Sequence, residues 1–327
     1  MKAYQIIALG QEPVLREVPD PIPAPGEVAV RIAAAGLNFA DLLMVRGQYQ
    51  ERPDLPATLG LELAGIVEKT ADDVTSFRSG DRVAVFSGQG GLAERGCFPA
   101  DRCVALPDAM PFDVAAGFLI AYGTSHLALT RAARLAEGET LVVLGAAGGV
   151  GLTAVEIGHR LGARVVAVAR GAEKLAVAEA AGATHLIDSE REDLRAALKA
   201  LGGADVVYDA VGGRASEAAM RACRPEARVL LIGFASGDVP EVRANHLLVK
   251  NVSVHGFYWG GFMRFAPQAV AGSLRTLFDW YAAGQLTPHV SHRLPLSRTA
   301  EGLDLLRSRR ATGKVVIVMD GADQSAP

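Results

Sequence analysis

The sequence predicts an α/β protein that combines a doubly wound parallel sheet with a second, β-rich domain. The chain has 327 residues, which is long for a single core, since one domain typically holds about 100–200 residues. From about residue 140 onward, apolar strand-like runs alternate with helical segments, whereas earlier apolar runs are short and separated by proline and glycine. We therefore expect two domains of different character, with a cleft between them.

The chain up to about residue 121 has the pattern of a β-rich domain. Short apolar runs occur at residues 28–33, 64–67 and 82–86. Residues 19–26 contain four prolines, and proline lacks the backbone donor that a central strand needs. This segment is therefore predicted to be a loop.

The following part of the chain has the pattern of parallel βαβ units. In such units the strands are buried on both faces and appear as continuous apolar runs. The predicted strands are residues 141–144, 164–169, 185–187, 205–208, 229–232 and 252–257. This alternation predicts a doubly wound sheet of about six strands.

The last part of the chain is expected to return to the first domain. Helices are predicted near residues 273–283 and 298–308, a final strand at 314–319 and a frayed end at 321–327. The β-rich domain would then be discontinuous, formed by residues 1–122 and 262–327, around an α/β domain of residues 123–261.

Composition and charge favour a globular protein with a small-molecule partner. Half of the residues are hydrophobic, about a fifth are charged and the formal net charge is −3, without a basic cluster for nucleic acid. We find neither a signal peptide nor an apolar run of about 18 residues, and three unpatterned cysteines suit reduced thiols. We expect a cytoplasmic protein that binds neither nucleic acid nor membranes.

A glycine-rich turn separates the first predicted strand of the α/β domain from an amphipathic helix. In the dinucleotide-binding Rossmann fold, such a turn needs a tight bend, a close approach of backbone to pyrophosphate, and close packing of helix on strand. Ala146, Gly148 and Gly151 are predicted to fill these three places. We expect the cofactor to contact Ala146, Gly148, Gly149, Val150 and Gly151, at the positive end of the helix dipole.

The end of the second predicted strand indicates NADPH rather than NADH. NAD sites normally have Asp or Glu there, about 20 residues after the glycine turn. Here the strand is followed by Arg170, and Lys174 lies four residues later. Both cations would attract the 2′-phosphate of NADPH, although the alternative that they form a solvated helix start stays open.

Five segments resemble the quinone oxidoreductase (ζ-crystallin-like) branch of the medium-chain dehydrogenase/reductase superfamily, in order and over almost the entire chain. They are Gly36-Leu-Asn38-Phe-Ala-Asp41, Leu59-Gly60-Leu-Glu62-Leu-Ala-Gly65, Gly80-Asp81-Arg-Val83, Ala146-Ala-Gly148-Gly-Val-Gly151 and Thr312-Gly-Lys314-Val-Val-Ile317. The resemblance implies that the β-rich domain is GroES-like and catalytic.

The same resemblance implies a zinc-independent enzyme. Zinc-dependent alcohol dehydrogenases of the superfamily have Cys where this chain has Asn38 and His where it has Leu61, and they carry a four-cysteine lobe that is absent here. Catalytic zinc needs three protein ligands and structural zinc usually four. We therefore expect no metal.

The family also implies roles for single residues. Asn38 and Thr124 would lie near the nicotinamide, Asp41 would support its loop, and Tyr49 would line the substrate pocket as a proton donor. The predicted catalytic residues are Tyr49, Asn38 and Asp41, with Leu43 at the position of a second Tyr of some family members. The predicted cofactor contacts also include Asn38, Thr124, Phe234, Ala235, Phe257 and Lys314.

Ordinary structural roles stay open for several of these residues. Asn38 and Asp41 suit a turn and a helix cap, Thr124 suits a helix start and Tyr49 suits a pocket rim. The aromatic residues Phe234 and Phe257 suit domain packing equally well.

The expected function is NADPH-dependent hydride transfer to quinones or other conjugated carbonyl compounds, because the cofactor carries the difficult chemistry. Two alternatives stay open: an enoyl-thioester or acrylate reductase, and an NADPH-binding protein without turnover. The strand at 252–257 would be a sheet edge suited to pairing across a two-fold axis, so a homodimer is expected. The acceptor itself is not predicted.

Overall fold

The computed structural model describes residues 1–320, so the predicted frayed end at 321–327 lies outside the described residues. The strands in this range are β1 (Lys2–Ile6), β2 (Val14–Glu17), β3 (Glu27–Gly36), β4 (Ala57–Thr58), β5 (Glu62–Thr70), β6 (Arg82–Phe86), β7 (Arg95–Pro99), β8 (Cys103–Ala105), β9 (Thr140–Leu144), β10 (Arg164–Ala169), β11 (His185–Asp188), β12 (Ala204–Asp209), β13 (Cys223–Leu231), β14 (Ser253–Gly256), β15 (Val290–Pro295) and β16 (Lys314–Val318).

The α-helices in the same range connect these strands and cover the sheets. They are α1 (Phe39–Val45), α2 (Phe112–Ala115), α3 (Leu119–Leu127), α4 (Gly149–Arg160), α5 (Ala172–Ala180), α6 (Leu194–Ala200), α7 (Gly213–Arg221), α8 (Ala244–Leu248), α9 (Trp259–Phe265), α10 (Pro267–Ala282) and α11 (Thr299–Arg307). No helix within residues 1–320 is both long and apolar enough to cross a membrane.

The chain divides into two compact units. The first contains Met1–Ile120 and the described residues from Pro288 on, and the second contains Ala121–Thr287. Residues 262–287 therefore belong to the α/β unit, in contrast to the predicted boundary. Hydrogen bonds explain the difference, because Ser273 of α10 bonds His126 of α3 and the Thr287 N–H donates to Glu156 of α4.

The first unit is β-rich, as predicted. Its larger sheet has the order β15-β16-β3-β5-β6-β8, with β7 also paired to β3, and its smaller sheet has the order β2-β1-β4. The central strand β3 buries almost every second residue and then a continuous run of small residues at its end. It pairs antiparallel with β5 on one side and β16 on the other.

The second unit contains a six-stranded parallel sheet of order β11-β10-β9-β12-β13-β14. The predicted doubly wound sheet is thus confirmed. Its central strand β9 is buried along its whole length, since helices cover both faces of such a sheet. In open sheets of this kind, ligands bind outside the carboxyl ends of the strands where the strand order reverses, which here is between β9 and β12.

Candidate active site

The glycine-rich turn follows β9 and leads directly into α4. Gly145 has a φ of +74°, a conformation that residues with a Cβ rarely adopt. The N–H groups of Gly145 and Ala146 both donate to the Val168 carbonyl of β10, at 3.0 and 3.1 Å. A Cβ on Gly151 would lie 2.1 Å from the Gly145 oxygen, so only glycine lets α4 begin this close to the turn.

The residues of this turn differ in exposure. Gly148 is exposed and Gly149 and Val150 are half-buried, whereas Ala146 and Gly151 are buried. The surface offered to a ligand is therefore Gly148, Gly149 and Val150, together with N–H groups of the first helical turn, which have no partner inside the helix. The tight bend lies at Gly145 rather than at Ala146, which packs inside.

The carboxylate of Asp209 ends β12, next to the last residue of β9. It is completely buried, and its Oδ1 accepts hydrogen bonds from the N–H groups of Val211 and Gly212 at 2.9 and 2.8 Å. Its Oδ2 has no hydrogen-bond partner within residues 1–320. Asp209 was not among the predicted site residues, although an acid at the end of the apolar run of β12 was a signal for it.

Phe234 and Ala235 lie in the loop after β13. The Ala235 N–H donates to the Ala210 carbonyl at 3.2 Å, and Gly213 N–H donates to the Asp238 carbonyl at 3.0 Å, so the loops after β12 and β13 are tied together. Phe234 is 37% exposed. Phe257, which follows β14, is buried and packs against Phe262 with ring centroids 5.1 Å apart.

Arg170 directly follows β10, and its side chain is exposed. Gly171 next to it has a φ of +76° and donates its N–H to Asp188 Oδ1 at 3.1 Å. Hydrogen bonds from the Glu190 and Gly171 N–H groups lower the pKa of the Asp188 carboxyl. Lys174 is half-buried in the first turn of α5. Two cations thus occupy the segment in which NAD sites have an acid.

Thr124 is buried on α3, beside a polar network that sequence reasoning missed. The Ser125 hydroxyl donates to the Val150 carbonyl at 2.9 Å and bonds Thr153 at 2.8 Å and the Tyr208 hydroxyl at 2.9 Å. Burial raises the pKa of Tyr208. These bonds connect α3 and β12 with the first turns of α4, which begins at the glycine-rich turn.

In the first unit, the half-buried Asn38 forms a hydrogen-bonded cluster with the buried Glu62 and Lys314. Lys314 Nζ donates to the Leu37 carbonyl, to Asn38 Oδ1 and to Glu62 Oε1, each at 2.8 Å. Asn38 Nδ2 donates to Glu62 Oε1 at 3.0 Å and to the Gly36 carbonyl at 3.2 Å. The ammonium group predicted to bind the cofactor is thus occupied within the protein, since it has only three N–H bonds.

Asp41 lies in the first turn of α1 and is completely buried. Its Oδ2 accepts the Asn38 backbone N–H at 2.7 Å, and its Oδ1 accepts the Gly60 N–H at 3.2 Å. Burial raises the pKa of Asp41 to about 7, against the lowering effects of these hydrogen bonds and of the Lys314 charge. Asp41 therefore caps helix α1, which is the structural role that the sequence analysis left open for it.

Tyr49 is half-buried in the segment between α1 and β4, and Leu43 is half-buried on α1. The Gln48 N–H donates to the Leu43 carbonyl at 2.9 Å, which turns the chain back after the helix. Within residues 1–320, no group of three or more His, Cys, Asp or Glu side chains is arranged to hold a metal ion. The predicted site residues thus fall into two sets, one in each unit.

Comparisons with known proteins agree with this architecture. The alcohol dehydrogenase GroES-like domain family matches residues 24–108, and the zinc-binding dehydrogenase family matches residues 149–274. The quinone oxidoreductase-like protein 2 homolog of Nematostella vectensis is 37% identical over 89% of this chain and 81% of that protein. The quinone oxidoreductase of Pseudomonas aeruginosa is 33% identical over 97% of this chain and 99% of its own length.

Solved structures give the same result. The quinone oxidoreductase of Escherichia coli, complexed with NADPH, superimposes with a TM-score of 0.92 at 28% identity, over 97% of this chain and 100% of that one. Both domain families match in order, and relatives above 30% identity cover nearly the whole chain. The protein therefore belongs to the zinc-free quinone oxidoreductase branch of the medium-chain dehydrogenase/reductase superfamily.

Proposed function

We propose that this protein is an NADPH-dependent, zinc-independent reductase that transfers hydride to quinones or related conjugated carbonyl compounds. The observation that carries the proposal is the turn at Gly145–Gly151, at the carboxyl end of β9. Its glycines have no side chains, so a ligand can approach the backbone there. The NADPH complex of the E. coli quinone oxidoreductase, a relative of the same fold, supports the same cofactor here.

The residues of the second unit fit NADPH. Gly148, Gly149 and Val150 would hold the pyrophosphate through backbone N–H groups, and the exposed Arg170 would bind the 2′-phosphate, with Lys174 beside it. The Asp209 Oδ2 at the neighbouring strand end has no partner within residues 1–320 and leaves an acceptor for an ordered water or a ligand hydroxyl. Thr124, Phe234, Ala235 and Phe257 would surround the rest of the cofactor.

NADPH supplies the hydride, so the protein needs to bind and orient its partners rather than react covalently. In the first unit we assign Asn38 to the nicotinamide, because this residue is only half-buried although its amide is hydrogen-bonded to Lys314, Glu62 and Gly36. Tyr49 would donate the proton to the reduced acceptor. Asp41 would keep the Asn38 turn in place.

Zinc-independent chemistry suits this donor set. Asn38 and the buried Leu61 stand at the positions of the zinc-binding Cys and His of the alcohol dehydrogenases, and the Asn38 amide already donates its two N–H bonds to Glu62 and Gly36. A quinone or enone carbonyl is polarised by conjugation, so its reduction requires less electrophilic assistance than alcohol oxidation does.

We further propose a cytoplasmic homodimer. Cys97, Cys103 and Cys223 are free thiols, which suits a reducing compartment. Strand β14 is at an end of its sheet, and a second copy would cover its backbone groups.

The test is an absorbance assay of nicotinamide oxidation by purified, chelator-treated protein with a panel of quinones, enones and enoyl-CoA esters, using NADPH or NADH. Rapid, NADPH-selective oxidation by quinones is the expected result. Preference for enoyl-CoA esters would replace the proposal with the thioester reductase, and tight NADPH binding without turnover would replace it with the non-catalytic alternative. Loss of activity on metal removal would contradict zinc independence.

A further inference from the structure

At the end of β3, two of its neighbouring strands in the large sheet bring charged side chains together. Strand β3 lies between β16 and β5 in this sheet. Lys314 is the first residue of β16 and Glu62 is the first residue of β5, so the two side chains meet beyond the end of β3. At that point the chain turns through Asn38 into α1.

The Glu62–Lys314 ion pair is enclosed by backbone. The two side chains are 1% and 9% exposed, and the charged atoms lie 2.8 Å apart. A Cβ on Gly36 would lie 3.0 Å from Glu62 Oε1, and one on Gly117 would lie 3.1 Å from the Lys314 side chain. A side chain at either glycine would therefore crowd the ion pair.

The partners of the pair converge on one amide group. Glu62 Oε1 accepts from both Lys314 Nζ and Asn38 Nδ2, whereas Glu62 Oε2 accepts the Ile120 N–H at 3.0 Å. Asn38 Oδ1 faces the ammonium and Asn38 Nδ2 faces the carboxylate. A flipped amide would bring Nδ2 against a donor and Oδ1 against an acceptor, so the charges permit one orientation only.

We propose that Glu62 and Lys314 are positioning residues that fix the orientation of the Asn38 amide. A buried ion pair is weak evidence of stabilisation by itself, because desolvation of both charges offsets their attraction. Its use here is geometric, since both amide N–H bonds are consumed and Asn38 presents only its carbonyl oxygen to a ligand. The functional consequence rests on the proposed function, in which Asn38 contacts the nicotinamide.

The inference can be tested on the resting wild-type protein, without turnover. NMR relaxation of the side-chain amides should give Asn38 an order parameter of about 0.85, the value of a rigid backbone. The exposed Asn245 should give a value below about 0.6. Equal mobility of the two amides would overturn the proposal, whatever reaction the protein catalyses.

The kinetic test uses a charge-free pair, E62Q/K314M, which retains an acceptor for the Ile120 N–H. We expect this variant and N38A each to lower kcat at least about tenfold, and the triple variant to be no slower than N38A, because the pair acts through Asn38. Independent, multiplicative losses would contradict the positioning role. Absence of turnover in the wild type would reject the proposed function, while the relaxation measurement would still show whether the Asn38 amide is held rigidly.

Discussion

The buried environment of Asp41 predicts that the free energy of unfolding of the protein depends on pH. Burial raises the pKa of Asp41 to about 7, whereas in the unfolded chain the pKa of this carboxyl is about 3.9. The folded protein therefore holds a proton that the unfolded chain releases between these values. The resulting stabilisation is complete below about pH 4 and is lost as the pH rises through about 7.

The measurement compares wild type with D41N, which lacks this titration, by urea unfolding between pH 5 and 8. The free energy of unfolding of the wild type relative to D41N should fall with rising pH and level off above about pH 7. A difference that rises with pH would mean that Lys314 holds the Asp41 pKa low instead.

Arg170 should determine cofactor choice by its charge. The variant R170D replaces the exposed cation after β10 with the acid typical of NAD sites. Loss of a charge-assisted hydrogen bond of about 1.5–3 kcal/mol should weaken NADPH binding by about ten- to a hundredfold, with little loss for NADH.

Titration of nicotinamide fluorescence gives both dissociation constants. The matched control is K199E, which reverses another exposed cation at the far end of α6. Equal weakening by both variants would show that only net charge matters, and an unchanged NADPH affinity in R170D would remove Arg170 from the site.

At the scale of single elements, the junction of β9 with α4 depends on the absence of a side chain. In G151A, the added Cβ would lie 2.1 Å from the Gly145 oxygen, so the helix has to move away from the turn. We expect NADPH affinity to fall at least about tenfold, and overpacking to cost about 1–3 kcal/mol of unfolding free energy.

The control for this change is G272A on α10, where an added Cβ meets no atom of the described residues within 4 Å. Alanine is the better helix former, so G272A should gain up to about 1 kcal/mol with unchanged NADPH affinity. Calorimetric binding and urea unfolding of both variants supply the comparison. Wild-type affinity in G151A would mean that the turn tolerates displacement.

Glu62 and Lys314 lie on β5 and β16, two strands that flank β3, so removal of one charge should disturb all three strands. K314M leaves a buried, unpaired carboxylate and should cost about 3–5 kcal/mol. E62Q/K314M removes both charges and should be more stable than K314M in chemical unfolding. A double variant that is less stable than K314M would show that the pair itself stabilises the sheet.

At the scale of the whole molecule, the proposed homodimer predicts that the region before β14 is covered. Leu248 and Val249 are 77% and 73% exposed and shortly precede this edge strand. L248E/V249E should shift the protein from dimer to monomer in sedimentation velocity, because charges are depleted from interface cores. I22E, at a residue that is 84% exposed in the other unit, is the control and should leave the dimer intact. A monomeric wild type would refute the dimer.

Much of the fold followed from local patterns. The continuous apolar runs predicted the buried strands β9 and β10, whose burial between helices requires such residues at every position. Boundaries were less predictable. Strand β13 begins at Cys223, before the predicted residue 229, because pairing with Ala204 of β12 extends it. The segment 262–287 joined the α/β unit through hydrogen bonds of α10 and Thr287, which no local pattern reveals.

The sequence by itself determined the two kinds of sheet, the glycine-rich turn and the cations after β10, because periodicity, missing side chains and charge are local properties of the chain. Only the tertiary structure decided that Gly145 makes the bend and that Lys314 donates a hydrogen bond to Asn38. It also revealed the contacts of Glu62, Ser125 and Asp209. The physical reason is that hydrogen bonds of buried polar groups join residues far apart in sequence, such as Asn38 and Lys314, and depend on how the strands are paired.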